Sequence, residues 1–411
     1  FGHLYSVYAP VPVTDSAAIT AEYKCPNCGA PTQYEIAAGG IACQYCGYTA
    51  PIGGEPIGKS AGEYEFTLDA LKQTQRPWVT DFKDLHCDSC GADLLASAAS
   101  MTATCPFCSS NKVNIRKAPD DQLRPNSLIP FRVESKMIRE KAIRWLGQGW
   151  FHPPGLSGGS FVDRFTGIYL PYWTFDATIQ AQWKAQVGFE RQEQYYDAGS
   201  KQWQTRTVID WVWKTGQILL EKDDLLMSGS THVSPLILKR LLPYQLEDLV
   251  TFSGDYLAGW QTHIYDISLS DAWQSARNKM REDAKQACHK SIPSPHIRNF
   301  SMTAEFSNEV WRHILLPTYV ASYTFENKTY QVLANGQTGV VAGQKPVVWW
   351  KVWLVISILI APGVALGLLG LFTLVLGGLG FIPLLAGIVL FAVGTLISVF
   401  IFRSATQSEA S

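Results

Sequence analysis

The sequence predicts an α+β chain: two small four-cysteine ribbons, a mainly antiparallel α+β domain and a C-terminal hairpin of two helices. Three observations carry this. Eight of the nine cysteines fall into one repeated spacing, residues 173–187 alternate apolar and polar side chains, and residues 352–402 contain no Asp, Glu, Lys, Arg or His. The boundaries that follow are an N-terminal extension over 1–20, ribbon 1 over 21–50 and a linker with a short helix over 51–82. Ribbon 2 then covers 83–118, the α+β domain 119–346, the hairpin 347–403 and a C-terminal tail 404–411.

Cys25-x2-Cys28 is followed after fourteen residues by Cys43-x2-Cys46, and Cys87-x2-Cys90 by Cys105-x2-Cys108 at the same interval. A Cys-x-x-Cys turn presents two thiolates to one ion, and a second turn completes a tetrahedral four-thiolate site. Gly29, Gly47 and Gly91 follow three of the knuckles, where the chain must turn sharply; Ser109 stands in the fourth. Thr32–Ile36 and Gly40–Cys43 read as a short hairpin, repeated at Ala92–Leu95 and Met101–Thr104. Units this small fold with a metal's help. Two structural Zn²⁺ ions, one per ribbon, are the expectation. Iron has the same ligand set, and disulfides are disfavoured in a reducing compartment. Four thiolates leave no open coordination position, so the metal is structural.

Residues 21–118 hold eight Lys or Arg against ten Asp or Glu, a poor footprint for nucleic acid. Gly53-Gly54-Glu55-Pro56-Ile57-Gly58-Lys59-Ser60 matches the phosphate-loop pattern, but it lies between two ribbons, without the strand and helix such a loop needs. It reads as linker. Phe66, Leu68 and Leu71 suggest a short helix over Glu63–Gln75.

In the α+β domain, Trp173, Phe175, Ala177, Ile179, Ala181, Trp183, Ala185 and Val187 define the buried face of a long strand. Its partner is expected over Trp203–Trp213, past a turn at Asp197-Ala198-Gly199-Ser200. Thr318–Phe325 and Thr329–Ala334 form another hairpin, followed by turn chemistry at Asn335-Gly336. Helices are expected over Ser135–Leu146 and Asp271–Lys290, the latter capped by Ser270 and placing Cys288 in the core. No Ser-His-Asp set, His-Glu-x-x-His or paired-carboxylate motif emerges, so no catalytic residue is expected. His152, His232, His263, His296 and His313 read as packed or surface residues.

A bilayer crossing needs about 20 apolar residues, so 352–402 fits two crossings with a bend at Gly377-Gly378-Leu379-Gly380. Lys345, Lys351 and Arg403 flank the block and Trp349, Trp350 and Trp353 cluster at one end, which places both ends of the hairpin in the cytoplasm. Phe1–Thr20 lacks a basic region and an apolar core, so no signal peptide is expected there. The spans carry no ionisable group and are expected to anchor, not conduct.

Both ribbons, Ile129-Pro130-Phe131, Gly167-Ile168-Tyr169-Leu170-Pro171-Tyr172-Trp173, Leu316-Pro317 and Asn335-Gly336-Gln337-Thr338-Gly339 together resemble one family. It is that of bacterial membrane proteins with tandem TFIIB-type zinc ribbons, often labelled primosomal protein N′/helicase. Ser109 and Thr318-Tyr319 depart from its pattern without touching a metal ligand. The chain has no motor core to support the helicase label. The resemblance implies a membrane partner of SPFH-domain (stomatin/flotillin-like) proteins, encoded beside these and phage-shock-type proteins, and acting within a hetero-oligomer. The expected function is that of an adaptor recruiting an SPFH-type assembly to the cytoplasmic face of the cell membrane. The alternative is a membrane-tethered nucleic-acid-binding protein; an enzyme built on the central domain is a third possibility.

Overall fold

The computed structural model describes residues 24–53, 57–58, 64–65, 82–97, 104–116, 122–153, 156, 165–326, 328–376 and 380–410. The first ribbon is a three-stranded antiparallel sheet of β1 (Gln33–Glu35), β2 (Gly40–Ala42) and β3 (Thr49–Pro51). Its turn uses Gly39 at φ 60°, and Gly40 lies so close to Ala50 that a Cβ would sit 2.3 Å from the Ala50 carbonyl oxygen.

All remaining described strands join one sheet. After β4 (Tyr64–Glu65) come the second-ribbon strands β5 (Phe82–Cys87), β6 (Asp93–Ser97) and β7 (Val113–Arg116), then β8 (Ser127–Leu128). The central strands are β9 (Thr166–Asp197), β10 (Gln202–Ser228), β11 (Val250–Thr251), β12 (Gln261–His263), β13 (His296–Phe325), β14 (Lys328–Asn335) and β15 (Val341–Gly343). The spatial order is β11-β8-β13-β9-β12-β6-β5-β7, with β10 on β9 and β14 on β13. Pairing is antiparallel except for β12 on β9 and β8 on β13. The fold is α+β and mostly antiparallel, as the sequence predicts.

Tyr64 and Glu65 pair with Trp311 and Val310 of β13. The short helix expected from Glu63 therefore does not begin there, because an open strand edge claims these two residues. Phe66, Leu68 and Leu71 lie outside the described residues, as do residues 54–56 and 59–60 of the phosphate-loop lookalike. In what is described of that loop, the Ile57 and Gly58 amides both donate to the Leu249 carbonyl, at 2.9 and 3.2 Å. They are committed to the fold and do not point at a phosphate.

The three long strands form an arm. β9 pairs with β13 from Thr166 to Gly188 and with β10 from Tyr172 to Asp197. At about 3.3 Å per residue, the 32 residues of β9 extend roughly 100 Å. The expected alternation holds: Trp173, Phe175, Ala177, Ile179, Ala181, Trp183, Ala185 and Val187 are all buried. They lie under α3 (Leu269–Ser291), which contributes Trp273, Ala276, Met280, Ala284 and Cys288. Ser268, not Ser270, caps this helix, its hydroxyl accepting from the Asp271 amide at 3.2 Å. The helix starts two residues before the expected Asp271, because Leu269 is buried as well.

Three bulges bend the arm, at Lys222/Leu225 in β10 and at Arg298/Ser301 and Ser307/Val310 in β13. Each carries a left-handed Asp or Asn: Asp224 (φ 54°), Asn299 (φ 52°) and Asn308 (φ 51°). Asp and Asn tolerate that conformation better than other non-glycine residues because their short polar chains bond locally. Asn299 also donates across the arm to the Gln186 side chain of β9 at 2.9 Å.

Two shorter helices, α1 (Ser135–Gly147) and α2 (Pro235–Leu241), close the other end of the domain. The C-terminal helices are α4 (Trp349–Val375) and α5 (Phe381–Ala410). Both are long and apolar enough to cross a membrane. The bend lies between them as expected; Gly377, Gly378 and Leu379 are outside the described residues. Glycines let the two backbones touch: a Cβ on Gly370 would meet the Leu384 amide nitrogen at 2.4 Å, and one on Gly387 the Gly367 nitrogen at 2.4 Å. The outer faces expose Phe372, Val375, Leu396 and Phe400 at 64%, 81%, 72% and 75%. An exposed apolar surface that extensive marks a contact face and suggests a membrane anchor.

Candidate metal centres and membrane junction

The eight predicted ligands gather into two clusters, Cys25/Cys28/Cys43/Cys46 and Cys87/Cys90/Cys105/Cys108. Each can hold a metal ion. Sγ–Sγ distances are 3.4 Å for Cys25–Cys46, 3.6 Å for Cys28–Cys43, 3.6 Å for Cys87–Cys108 and 3.7 Å for Cys90–Cys105. These are far beyond a disulfide's length of about 2 Å. Four sulfurs about 2.3 Å from a tetrahedral ion stand about 3.8 Å apart, so the cysteine spacing suits such an ion.

One turn builds all four knuckles. The amides of Gly29, Gly47, Gly91 and Ser109 donate to the carbonyls of Cys25, Cys43, Cys87 and Cys105 at 2.8–3.0 Å. The residue after each knuckle is left-handed, at φ 72°, 73°, 77° and 58°. Ser109 therefore adopts a glycine conformation. Its hydroxyl donates to the Ser322 carbonyl at 3.1 Å, tying the knuckle to β13. Knuckle amides also face the sulfurs: N–H groups of Cys46 and Tyr45 hold the Cys43 thiol down to about 7. In the second cluster burial pushes Cys90 up to about 12. Four crowded thiols cannot all ionise without a cation among them, and a bound metal removes that conflict.

Neither ribbon is a free module. Tyr34 of ribbon 1 is buried against Tyr256, with ring centroids 5.4 Å apart. Its amide donates to the Ala258 carbonyl at 2.9 Å. Ribbon 2 is fused to the main sheet through β6 and β12, where His263 pairs with Leu94. Its knuckle residue Phe107 is 2% exposed, and the Phe107 carbonyl accepts from Ser322 at 2.6 Å and from Gln331 at 3.0 Å.

The junction with the hairpin is equally built. α5 continues past Arg403 as a helix and returns to the body, where the Lys345 amide donates to the Ser408 carbonyl at 2.9 Å. Trp349 Nε1 donates to Glu409 at 3.0 Å. The Lys345 ammonium lies 4.0 Å over the Trp145 ring and donates to the Trp145 and Gln148 carbonyls; burial lowers its pKa to about 8. Both open ends of the hairpin are thereby fixed to the domain.

Two further polar sites escaped the sequence. Arg312 is 1% exposed where the arm meets the body. It pairs with Asp224 and, at 3.9 Å, with Asp176, and its Nε donates to Thr174 at 3.2 Å. Only the register of β9, β10 and β13 brings these residues together, so no local motif could reveal them. His232, His263 and Asp266 also converge; the one local hint is His263 standing three residues before Asp266 at a strand end. His313 is packed as expected, stacked on Trp173 at 4.6 Å, and burial lowers its pKa to about 4.

"Uncharacterized protein YdjG" of Bacillus subtilis (strain 168) is 28% identical to this chain over 342 residues, 80% of this chain and 91% of that protein. No protein-family profile matches the chain, and no solved structure does.

Proposed function

We propose that the protein is a membrane-anchored zinc-ribbon adaptor that holds an SPFH-type protein assembly at the cytoplasmic face of the cell membrane, in membrane stress or membrane organisation. The observation that carries this reading is the junction. An arm of roughly 80 Å, from Thr174 to Asp197 of β9, and two packed ribbons are fixed to an apolar hairpin through Lys345, Trp349, Ser408 and Glu409. Lys345, Lys351 and Arg403 lie at the open end of the hairpin, which favours the cytoplasmic side for the body. Among the described residues, β10 and the 296–309 stretch of β13 have no outer strand partner. Such edges can accept an extended segment of a partner.

Zinc is the metal this reading assigns to both clusters, in a closed and structural role. Iron would leave the same cysteines bound but colour the protein. A nucleic-acid role has less support: residues 21–118 carry eight Lys or Arg against ten Asp or Glu, and Tyr34 and Phe107 are buried in the body, which leaves Tyr45 as the strongly exposed aromatic among the described ribbon residues. Affinity capture of the full chain from detergent-solubilised membranes tests the proposal. An SPFH-domain protein should co-purify; a bait recovered without one overturns the partner assignment.

A further inference from the structure

We infer that His232, His263 and Asp266 form a third metal site, taking a first-row divalent ion of the Zn²⁺ class through three protein ligands, with its remaining position open to solvent. The three ligand atoms lie within 4.8 Å of one another. His232 Nε2 is 3.2 Å and His263 Nε2 3.9 Å from Asp266 Oδ2. Ligands about 2.0–2.1 Å from a tetrahedral ion stand about 3.3 Å apart, so His232 and Asp266 already stand at ligand spacing, and closing the site needs the partly exposed His232 and Asp266 to draw in toward the buried His263.

A plain His–Asp pair accounts for His232 and Asp266 but not for His263. The side chain of His263 is 1% exposed. Its Nδ1 lies 2.8 Å from the Asp93 carbonyl, which can only accept, so Nδ1 carries the proton. Nε2 is then a bare lone pair, and this buried atom has no hydrogen-bond partner. Leaving a buried acceptor unpaired is unfavourable; a cation would satisfy it. A histidine that donates one ring N–H to a carbonyl while offering the other nitrogen is the arrangement metal sites use to fix the tautomer. Asp266 is oriented in the same manner, since Thr231 donates to Oδ1 through its amide at 2.8 Å and to Oδ2 through its hydroxyl at 2.7 Å.

The surroundings distinguish this site from the cysteine clusters. Phe107 of the last knuckle packs on both imidazoles, with centroids 5.6 and 5.1 Å away, closing one side. Asp266 and His232 keep 29% and 16% side-chain exposure on the other. Three nitrogen and oxygen ligands with an open side leave room for water or an external ligand, which four thiolates do not.

The full chain in detergent micelles, saturated with Zn²⁺ and dialysed into metal-free buffer, is counted for metal by mass spectrometry. Three equivalents per chain are expected: one for each cysteine cluster and one for this site. Asp266→Asn and, separately, His232→Ala should each retain two. Loading with Co²⁺ supplies the control, because thiolate-to-cobalt absorption reports the cysteine clusters alone and should be unchanged in both variants. A wild-type count of two, or a third equivalent that persists in either variant, overturns the inference. If one variant loses the thiolate signal through misfolding, the other variant and the wild-type count still decide.

Discussion

Arg312 offers a quantitative test of how the arm is held to the body. Its guanidinium is buried beside Asp224, whose side chain is 6% exposed, and Asp176, 16% exposed. Arg312→Met keeps most of the volume but leaves the Asp224 carboxylate buried without its cation. Breaking a buried pair in this way costs about 3–5 kcal/mol. At about 1.4 kcal/mol per decade, local opening should become more than 100-fold more frequent. Hydrogen exchange reads this directly at the amides of residues 172–178, 222–228 and 308–314, while amides near the arm tip at 190–197 serve as the internal reference. Adding Asp224→Asn removes the charge that Arg312 faced, and the double variant should recover much of the loss. Asn also tolerates the left-handed backbone at that position. Exchange accelerated less than 10-fold in Arg312→Met, or a double variant no better than the single, would refute this account of the junction.

Other outcomes follow from the same geometry. Ser109→Val places a β-branched residue at φ 58° and removes the bond to Ser322, and should cost about 2 kcal/mol, whereas Ser109→Gly should be nearly neutral; chelator challenge of the second cluster reads the difference. Cys90→Ser should empty that cluster, and because β6 is fused to β12 the loss should extend to protection of the 261–263 amides. Gly387→Leu drives a side chain into the Gly367 backbone, so disulfide cross-linking of cysteines placed on α4 and α5 should fall sharply. His313 ionises near 6.5 when unfolded but only near 4 when folded. The unfolded chain thus takes up the proton first, and stability present above pH 6.5 is lost as pH falls toward 4, by up to about 1.4 kcal/mol per pH unit. His313→Gln should remove that part of the slope.

The sequence exposed most of the architecture where one face is buried and the other wet. Trp173–Val187 alternates cleanly because α3 covers only one side of β9. The signal fades at both ends of that strand: 168–172 is buried on both faces, while 190–197 is largely exposed on both. The first half of β13 was illegible for a related reason. Its bulges at Asn299 and Asn308 each shift the alternation by a residue, so no single period spans His296–Phe325. The cysteine clusters were readable because ligand spacing is local. Arg312–Asp224–Asp176 and His232–His263–Asp266 were not, since strand register and not sequence proximity assembles them. The apolar hairpin was plain from composition, yet its return to the body through Ser408 and Glu409 depends on α5 running on beyond Arg403, where composition gives no cue.

Impermeant thiol labelling of cysteines introduced one at a time in oriented membrane vesicles, read as label above that of the unsubstituted protein with its own nine cysteines, probes the anchor most directly. Cysteines at Phe381, beside the hairpin bend, and at Gln407, beside the body, should react from opposite sides of the bilayer, with Gln407→Cys reached only from the cytoplasmic face. Labelling of both positions from one side would contradict a hairpin that spans the membrane. Labelling of Gln407→Cys only from outside would place the ribbons and arm in the wrong compartment.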